Sequence, residues 1–279
     1  MSAPGGSDGG GGRSRDPEAR NPGPSTRPGV IRVRERTSFR RESATIAGPD
    51  VPGSRVPLSR ERIAGALRSV ESKREVPHLY LGTTVDLGPC MALLEERDGV
   101  AGQRPRVEVA DVFLAACAGA LAECGGLNAR FAGDAIETWE EIHLAFSVAV
   151  GDSLAWPVLR LPGRLPIDAL ASLRSELARR AVAGELAVGD ESDATFSVAL
   201  LGETGVECAQ AVIRPPQAAI LAVGGAVRRP VVRHQGIEPG WVVSLGLSCD
   251  RRVVEEPLGG RFLGQLRRRI EQPAMLLGD

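Results

Sequence analysis

The amino-acid sequence predicts an α/β fold from residue 57 onward. Segments with apolar residues at three- and four-residue steps, as in helices, alternate with short apolar runs bounded by Gly and Pro, as in buried strands. Of the 279 residues, 43% are hydrophobic and 25% are charged, which is the composition of an ordinary globular protein. Together these observations predict one domain, 57–279, in which helices pack on a sheet.

The first half of the domain is expected to alternate helices and strands. LSRERIAGALRSVESKRE predicts a helix that begins at the capping residue Ser59, and PHLYLGTTVDL predicts the strand that follows it. Apolar residues recur at helical spacing in 108–124, so this helix buries one face, with Cys117 and Cys124 in the core. HLAFSVAV (143–150) and WPVLRL (156–161) then predict two strands.

The second half repeats the pattern and ends in a helix. An amphipathic helix is expected at 166–183, and buried strands are expected at 195–201, 218–227 and 241–249. Pro257 occupies the favoured first turn of a closing helix, 257–270. One face of that helix is apolar and comprises Leu258, Phe262, Leu266 and Ile270.

Two segments precede the domain. Residues 1–29 consist of Gly, Pro, Ser and charged residues, which bury too little surface to offset chain entropy, so a disordered tail is expected. Residues 30–56 contain a basic run and predict an extended arm or linker. A solvated linker is favoured over an RNA-binding arm because few aromatic side chains are available to stack on bases.

Charge and cysteine content exclude several classes of protein. Lys and Arg number 34 and Asp and Glu 35, whereas a nucleic-acid-binding domain is expected to be basic. No apolar run reaches the about 18 residues of a membrane span, and no secretory signal is apparent, so a cytoplasmic protein is expected. The five cysteines contain no C-x-x-C pair, and therefore predict neither a disulfide framework nor a metal site.

Several stretches, in order, resemble the catalytic domain of the dihydrolipoamide acyltransferases of 2-oxo acid dehydrogenase complexes. They are VPLSRERIA (56–64), ESKREVPHLYL (71–81), GLNARFAGD (126–134), LAWPVLR (154–160), TFSVALLGETGV (195–206), IRPPQAAILAVG (213–224) and LSCDRRVV (247–254), followed by GGRFL (259–263). The resemblance implies a two-layer, chloramphenicol-acetyltransferase-like fold with a mixed sheet packed against helices. It also implies a homotrimer or larger assembly, with active sites at subunit interfaces where coenzyme A and the acyl carrier enter a channel from opposite ends.

Full-length members of this family carry lipoyl domains ahead of the catalytic domain. Here the first 56 residues are too short and too polar for one, and Lys73, the only lysine among 34 basic residues, lies in the core region. The resemblance therefore implies no lipoyl-lysine and no covalently bound cofactor. The acyl group is expected to arrive as a thioester of coenzyme A or of the phosphopantetheine of an acyl carrier protein.

The family transfers acyl groups between thiols with a general base and an oxyanion donor. The base is the histidine of a D-H-R-x-x-D-G motif, which matches 250–256 here and places Arg251 at the histidine and Glu255 at the second aspartate. A guanidinium accepts no proton at pH 7. The donor is the serine of a T-F-T-I-S-N-L-G strand, which matches Ala199, followed by Leu200. The ordinary mechanism is therefore predicted to be absent.

The three histidines and two of the cysteines are weak candidates to replace the motif histidine. His78 belongs to a P-H pair common in the family and is expected to be structural, while His143 opens a strand and His234 lies in a loop. Cys249 precedes the C-terminal motif and Cys208 follows the Ala199 strand, so either thiol could approach the channel. No histidine lies beside them in sequence, and buried inert thiols are expected.

A charge cluster remains near the expected channel. Arg251 and Arg252 lie next to Glu255 and Glu256, either as interface ion pairs or as an anion-binding site at the former histidine position. Arg62, at the arginine position of the family's first-helix motif, is expected to compete with Arg251 for Glu255. One arginine would then reach solvent or be left for a ligand anion.

Three functions remain open on this basis. A non-catalytic trimeric scaffold, or a partner of an active homologue in an acyl-thioester pathway, is favoured because both catalytic groups are missing. The first alternative is a remodelled acyltransferase that acts on a coenzyme A-bound or carrier-bound acyl group in specialised biosynthesis. The second is a binding protein for an anionic acyl compound.

Overall fold

A computed structural model describes residues 53–54, 56–98, 106–233 and 236–277. The helices are α1 (Arg60–Glu75), α2 (Gly88–Asp98), α3 (Val109–Glu123), α4 (Ile167–Ala183), α5 (Glu256–Glu271) and α6 (Ala274–Leu277). The strands are β1 (His78–Asp86), β2 (Ala129–Phe131), β3 (Ile136–Thr138), β4 (His143–Phe146), β5 (Val148–Val150), β6 (Ser153–Ala155), β7 (Val158–Arg160), β8 (Phe196–Leu200), β9 (Ala219–Val223), β10 (Val227–Arg233) and β11 (Gly236–Asp250). The predictions for 1–29, for most of 30–56 and for His234 lie outside the described residues.

The centre of the fold is a seven-stranded mixed sheet in the order β1-β11-β9-β8-β4-β7, with β10 paired to β11. β8 runs parallel to β4 and β9, and the other pairs are antiparallel. The longest register joins the start of β1 to the end of β11, from His78 opposite Asp250 to Asp86 opposite Val242. The predicted mixed sheet is confirmed.

Helices α3 and α5 cover one face of the sheet and complete the predicted two layers. The core between them contains Phe113, Phe146, Phe196 and Phe262, all fully buried. The rings of Phe196 on β8 and Phe262 on α5 lie 5.7 Å apart. The apolar face of α5 is therefore what holds this helix to the sheet.

A short segment, 206–210, crosses the other face of the sheet. A Cβ added at Gly224 would overlap the carbonyl oxygen of Glu207, and one at Gly246 would overlap that of Ala209. Gly225 N–H also donates to Val206 O at 2.8 Å. Glycine at these positions therefore allows the segment to lie directly on the strands.

Most predicted elements are confirmed, with two strands shorter than expected. The expected strand 143–150 ends at Phe146, because the next β8 amide, Leu200 N–H, donates to the side-chain oxygen of Ser147 at 2.8 Å, and the chain then leaves the main sheet to form the β5–β6 hairpin. The run 218–227 is broken after Val223, where the 206–210 segment crosses. Helix α2 and the β2–β3 hairpin were not predicted. No helix in the described part of the chain combines the length and apolarity needed to cross a bilayer.

Candidate functional site

The C-terminal motif lies in a turn between β11 and α5. Asp250 N–H donates to Ala218 O at 2.7 Å, and Arg251 N–H donates to Pro77 O at 2.9 Å. Glu255 follows as the N-cap of α5 in an extended conformation, with φ −101° and ψ 166°. The turn is therefore tied to the end of the sheet where β1 and β9 begin.

Arg251 pairs with Glu256 and not with Glu255, the partner expected from the motif. Its Nη1 donates to Glu256 Oε1 at 2.6 Å, and both side chains are about half exposed in the single chain. Successive side chains around an extended residue point to opposite sides of the backbone, so only one of the two carboxylates reaches Arg251. The hydrogen bond to Glu256 raises the pKa of Arg251, which keeps the guanidinium unable to accept a proton.

Arg62 does not compete for these carboxylates within one chain. It is exposed on α1, and its backbone N–H donates to Ser59 Oγ at 3.2 Å as part of the helix cap. Its guanidinium forms no ion pair with any residue that the structure describes. The expected competition for Glu255 is therefore not present inside a single chain.

Arg252 has a structural role in the same turn. Its Nε and Nη2 donate to the two carboxylate oxygens of buried Asp250 at 2.9 and 2.6 Å, and its backbone N–H donates to Oδ1 at 3.0 Å. The guanidinium also lies 4.2 Å from the ring centroid of Phe131. This forked pair neutralises Asp250 and fixes the turn.

Both ring nitrogens of His78 are already in use. Nδ1 lies 2.8 Å from Val76 O, and Ile213 N–H donates to Nε2 at 3.2 Å, which assigns the proton to Nδ1. Burial lowers the pKa of His78, so the neutral ring is favoured. Its one lone pair is occupied by a backbone donor, and the structural role expected for His78 follows from this geometry.

The serine-equivalent strand offers no free donor at Ala199 or Leu200. Ala199 is buried on β8. The backbone N–H of Leu200 donates to Ser147 Oγ at 2.8 Å, and that hydroxyl donates back to Leu200 O at 3.2 Å. The backbone amide that follows Ala199 is therefore already bonded to Ser147.

The structure does not bring Ala199 and Arg251 together within one chain. Ala199 is opposite Ala222 of β9, which is opposite Gly246 of β11, and Arg251 follows Gly246 by five positions, just past the end of β11 and two strands away from Ala199. At about 3.3 Å per residue and about 4.8 Å per strand, this separates the two by about 16 Å along the sheet and about 10 Å across it. A site that contains both residues requires two copies of the chain.

The remaining candidates lie apart from this turn or are inert. Cys249 is fully buried, and burial raises the pKa of its thiol to about 12. Cys208 is exposed in the 206–210 segment, which corrects the expectation of a buried thiol. His143 accepts Leu161 N–H at Nδ1 on the far strand β4. No group of His, Cys, Asp and Glu among the described residues could hold a metal ion.

Sequence reasoning did not identify a lysine–tyrosine pair beside the motif. The chain has one tyrosine and one lysine, and Lys73 Nζ donates to the hydroxyl of Tyr80. The ammonium also lies 5.0 Å from the centroid of the Tyr80 ring. Tyr80 is opposite Ser248 on β11, three positions before Arg251. Both residues occur in the ESKREVPHLYL stretch, and their contact depends on the angle between α1 and β1.

Comparison with known proteins gives one consistent result. The family model for the catalytic domain of 2-oxoacid dehydrogenases acyltransferase matches residues 51–278. The dihydrolipoyllysine-residue acetyltransferase component of the pyruvate dehydrogenase complex of Rickettsia bellii is 30% identical over 214 residues, which are 76% of this chain and 51% of that protein. The chain thus spans about half the length of the curated relatives it matches.

Two solved structures share the fold over most of their length. A probable dihydrolipoamide acetyltransferase from Listeria monocytogenes has 31% identity and a TM-score of 0.72, covering 79% of this chain and 95% of that one. The dihydrolipoamide acetyltransferase of Azotobacter vinelandii has 27% identity and a TM-score of 0.75, covering 82% and 99%. In the latter, a serine, a histidine and an asparagine were investigated for their roles in catalysis. The predicted acyltransferase-type fold is confirmed.

Proposed function

The chain belongs to the 2-oxoacid dehydrogenase acyltransferase catalytic-domain family, and we propose that it is a member without the family's acyl-transfer chemistry. Its function would be that of a trimeric scaffold, or of a partner to an active homologue, in a pathway that handles acyl thioesters. Arg251, Ala199 and Glu255 are the degenerate positions on which the proposal depends.

Residue spacing is the observation that carries the proposal. In the Azotobacter vinelandii enzyme the histidine follows the serine by 52 residues, and the asparagine follows the histidine by four. In this chain Arg251 follows Ala199 by 52 residues, and Glu255 follows Arg251 by four. The equal spacing supports a one-to-one match between the two sets of positions.

The local geometry supports a loss of catalysis at both positions. Removal of an oxyanion donor costs about 10² to 10³ in rate, and removal of a general base costs about 10² to 10⁴. Leu200 and His78 do not compensate, because Leu200 N–H is bonded to Ser147 and the lone pair of His78 is bonded to Ile213. Arg251 stays protonated beside Glu256.

The proposed partners and ligands follow from family membership and from the single lysine. The chain would assemble as a trimer. An acyl carrier protein or an active homologue would bring a coenzyme A or phosphopantetheine thioester to the interface between subunits. Lys73 lies in the last turn of α1 with its ammonium bonded to Tyr80, a placement that does not suit a swinging lipoyl arm. Of the channel residues expected from the sequence, Arg251, Glu255, Glu256 and Arg62 are exposed and are proposed to face the thioester.

A mass-spectrometric acyl-transfer assay tests the loss of chemistry. The full chain would be incubated with a panel of acyl coenzyme A thioesters and dihydrolipoamide, beside the Azotobacter vinelandii enzyme. We expect the wild type to match the uncatalysed rate and the Ala199→Ser, Arg251→His double variant to gain turnover. The matched control, Ala199→Gly with Arg251→Gln, should gain none. Wild-type turnover comparable with that of the active enzyme would overturn the proposal.

A second candidate function, a remodelled acyltransferase, is favoured by the Lys73–Tyr80 pair. The Tyr80 oxygen accepts a hydrogen bond from Lys73, which leaves the phenol O–H available to donate to an oxyanion. A thiol acceptor with a pKa of about 8.5 is partly ionised near neutral pH without any protein base. Such an enzyme would retain an oxyanion donor but no general base.

Substitution of Tyr80 separates the two candidates. If the wild type shows slow transfer, Tyr80→Phe should lower it by about 10², because the donor is lost. Lys73→Arg keeps a cationic donor to the phenol and should retain most of the rate. Equal rates in wild type and Tyr80→Phe would exclude the remodelled site and leave the scaffold.

A further inference from the structure

Arg214 lies where α1, β1 and the loop before β9 meet. The preceding residue, Ile213, is held at both backbone groups: Ser72 Oγ on α1 donates to Ile213 O at 2.6 Å, and Ile213 N–H donates to His78 Nε2 at 3.2 Å. Ser72 is fully buried and Ile213 nearly so. These two hydrogen bonds therefore fix the backbone next to Arg214.

The Arg214 guanidinium has an aromatic neighbour and no counter-ion. It lies 4.3 Å from the ring centroid of Trp156. Among the residues that the structure describes, it has no hydrogen bond or ion pair. The carboxylate of Glu191, the acidic group that acts on Arg214 from a distance, accepts the backbone N–H of Trp156 at 2.9 Å.

A second arginine approaches from α1. Arg68 is one helical turn before Ser72, so its side chain leaves α1 on the face that contacts the Ile213 loop. Burial, followed by the like charge of Arg68, lowers the pKa of Arg214 to about 10. The two cations thus repel each other across a partly desolvated space.

Three other arginines of the domain have carboxylate partners within the chain. Arg251 pairs with Glu256, and Arg252 pairs with Asp250. Arg174, between α3 and α4, is bonded to buried Asp111 at 2.5 Å. The sequence predicts an arginine without a partner at Arg251 or Arg62. Arg251 is paired, whereas Arg214 is half buried and has no counter-ion among the described residues.

We propose that Arg214 and Arg68, with Trp156 as one wall, form a binding site for an oxyanion, either a phosphate ester or a carboxylate. A partly buried cation without a partner is unfavourable, and an anion at this position would relieve the repulsion between the two arginines. The guanidinium fork matches the paired oxygens of either group, and its face is already stacked on the indole. The site does not depend on whether acyl transfer survives.

Isothermal titration of the full chain in phosphate-free buffer of low ionic strength tests the site. Inorganic phosphate and succinate are titrated separately, and the tighter of the two identifies a phosphate-bearing or a carboxylate-bearing ligand. Arg214→Gln should weaken binding about tenfold or more, because a charge-assisted hydrogen bond is lost. Arg228, exposed and 5.9 Å from the Trp241 centroid, provides the matched control, and Arg228→Gln should leave binding unchanged.

Three results would overturn the proposal. The first is the absence of heat for both anions above the dilution control. The second is an equal loss in Arg214→Gln and Arg228→Gln, which would indicate non-specific attraction. The third is dissociation of the assembly in Arg214→Gln by sedimentation, which would show that Arg214 pairs with a carboxylate of a neighbouring copy. If Arg214→Gln fails to fold, Arg68→Gln on the exposed helix decides, with weaker binding expected.

Discussion

His78 connects protonation with stability at the scale of a single residue. The folded state uses the neutral ring to join Val76 O to Ile213 N–H, and burial lowers the pKa of the ring below its usual 6.5. The unfolded chain therefore takes up the proton first as the pH falls. The stability contributed by the neutral ring is present above about pH 6.5 and decreases as the pH falls below it.

We expect His78→Gln to lower the free energy of unfolding by about 1 to 3 kcal/mol at neutral pH. The reason is that at least one of the two backbone partners loses its hydrogen bond, and Ile213 N–H is buried. The difference in unfolding free energy between wild type and variant should decrease below about pH 6.5, because the wild type loses stability there and the glutamine does not titrate. Urea denaturation across this range measures both effects, and a gap that stays constant with pH would contradict the linkage.

The sequence identifies the positions at which this chain departs from the family motifs, but not the partners of the residues found there. Arg251 and Ala199 can be recognised from linear motifs, because the flanking residues Asp250 and Thr195 keep the register. Whether Arg251 meets Glu255 or Glu256 depends on where the extended turn ends and α5 begins. The Arg214–Trp156 stack joins residues 58 positions apart, and only the assembled sheet determines such a contact.

Among the secondary-structure elements, the 206–210 segment crosses β9 and β11 so closely that only glycine fits beneath it. Gly246→Ala should destabilise the fold by about 1 to 3 kcal/mol, because the added methyl overlaps a backbone oxygen of Ala209 that cannot turn away. Gly264→Ala on α5 is the matched control, since a Cβ there has open space and helix propensity favours alanine by about 1 kcal/mol. Thermal unfolding measures the melting temperatures of the two variants. Equal melting temperatures for the two variants would disprove the close crossing.

Element prediction succeeded where a local signal sets a boundary and failed where a distant segment does. Ser59 caps α1, and Pro257 lies in the first turn of α5, as their sequences indicate. By contrast, the break at Ser147 results from its bonds to β8, and the end of β9 at Val223 results from the crossing 206–210 segment. Those interactions join residues about 15 to 55 positions apart and leave no periodic pattern.

At the scale of the whole molecule, the exposed apolar side chains and the divided site both indicate self-association. Ala199 and Arg251 are at different places on one chain, and completing the family's arrangement requires a second copy. Large apolar side chains are also exposed along one stripe of α1 and on the β10–β11 hairpin: Ile63, Leu67, Val70, Val232, Ile237 and Trp241. Such surface is typical of subunit contacts.

We expect sedimentation equilibrium to give at least three times the chain mass of 29.4 kDa at micromolar concentration. Ile237→Glu on the hairpin should shift the distribution to smaller species, whereas Ile237→Val, which keeps an apolar side chain, should not. A wild-type protein that sediments as a monomer would contradict this prediction.

The pairing of β1 with β11 also determines when β1 can join the sheet during synthesis. His78 is opposite Asp250, so the strand formed near the start of the domain has no partner until nearly all of the chain has been synthesised. At about 5 to 20 residues per second, a ribosome needs roughly 10 to 30 s to cover that interval. During this time Leu79, Leu81 and Val85 have no neighbouring strand in the sheet, and the apolar side chains of β1 stay unpaired on the nascent chain. A ribosome that stalls or terminates before β11 would therefore release a chain whose first strand is left open to aggregation.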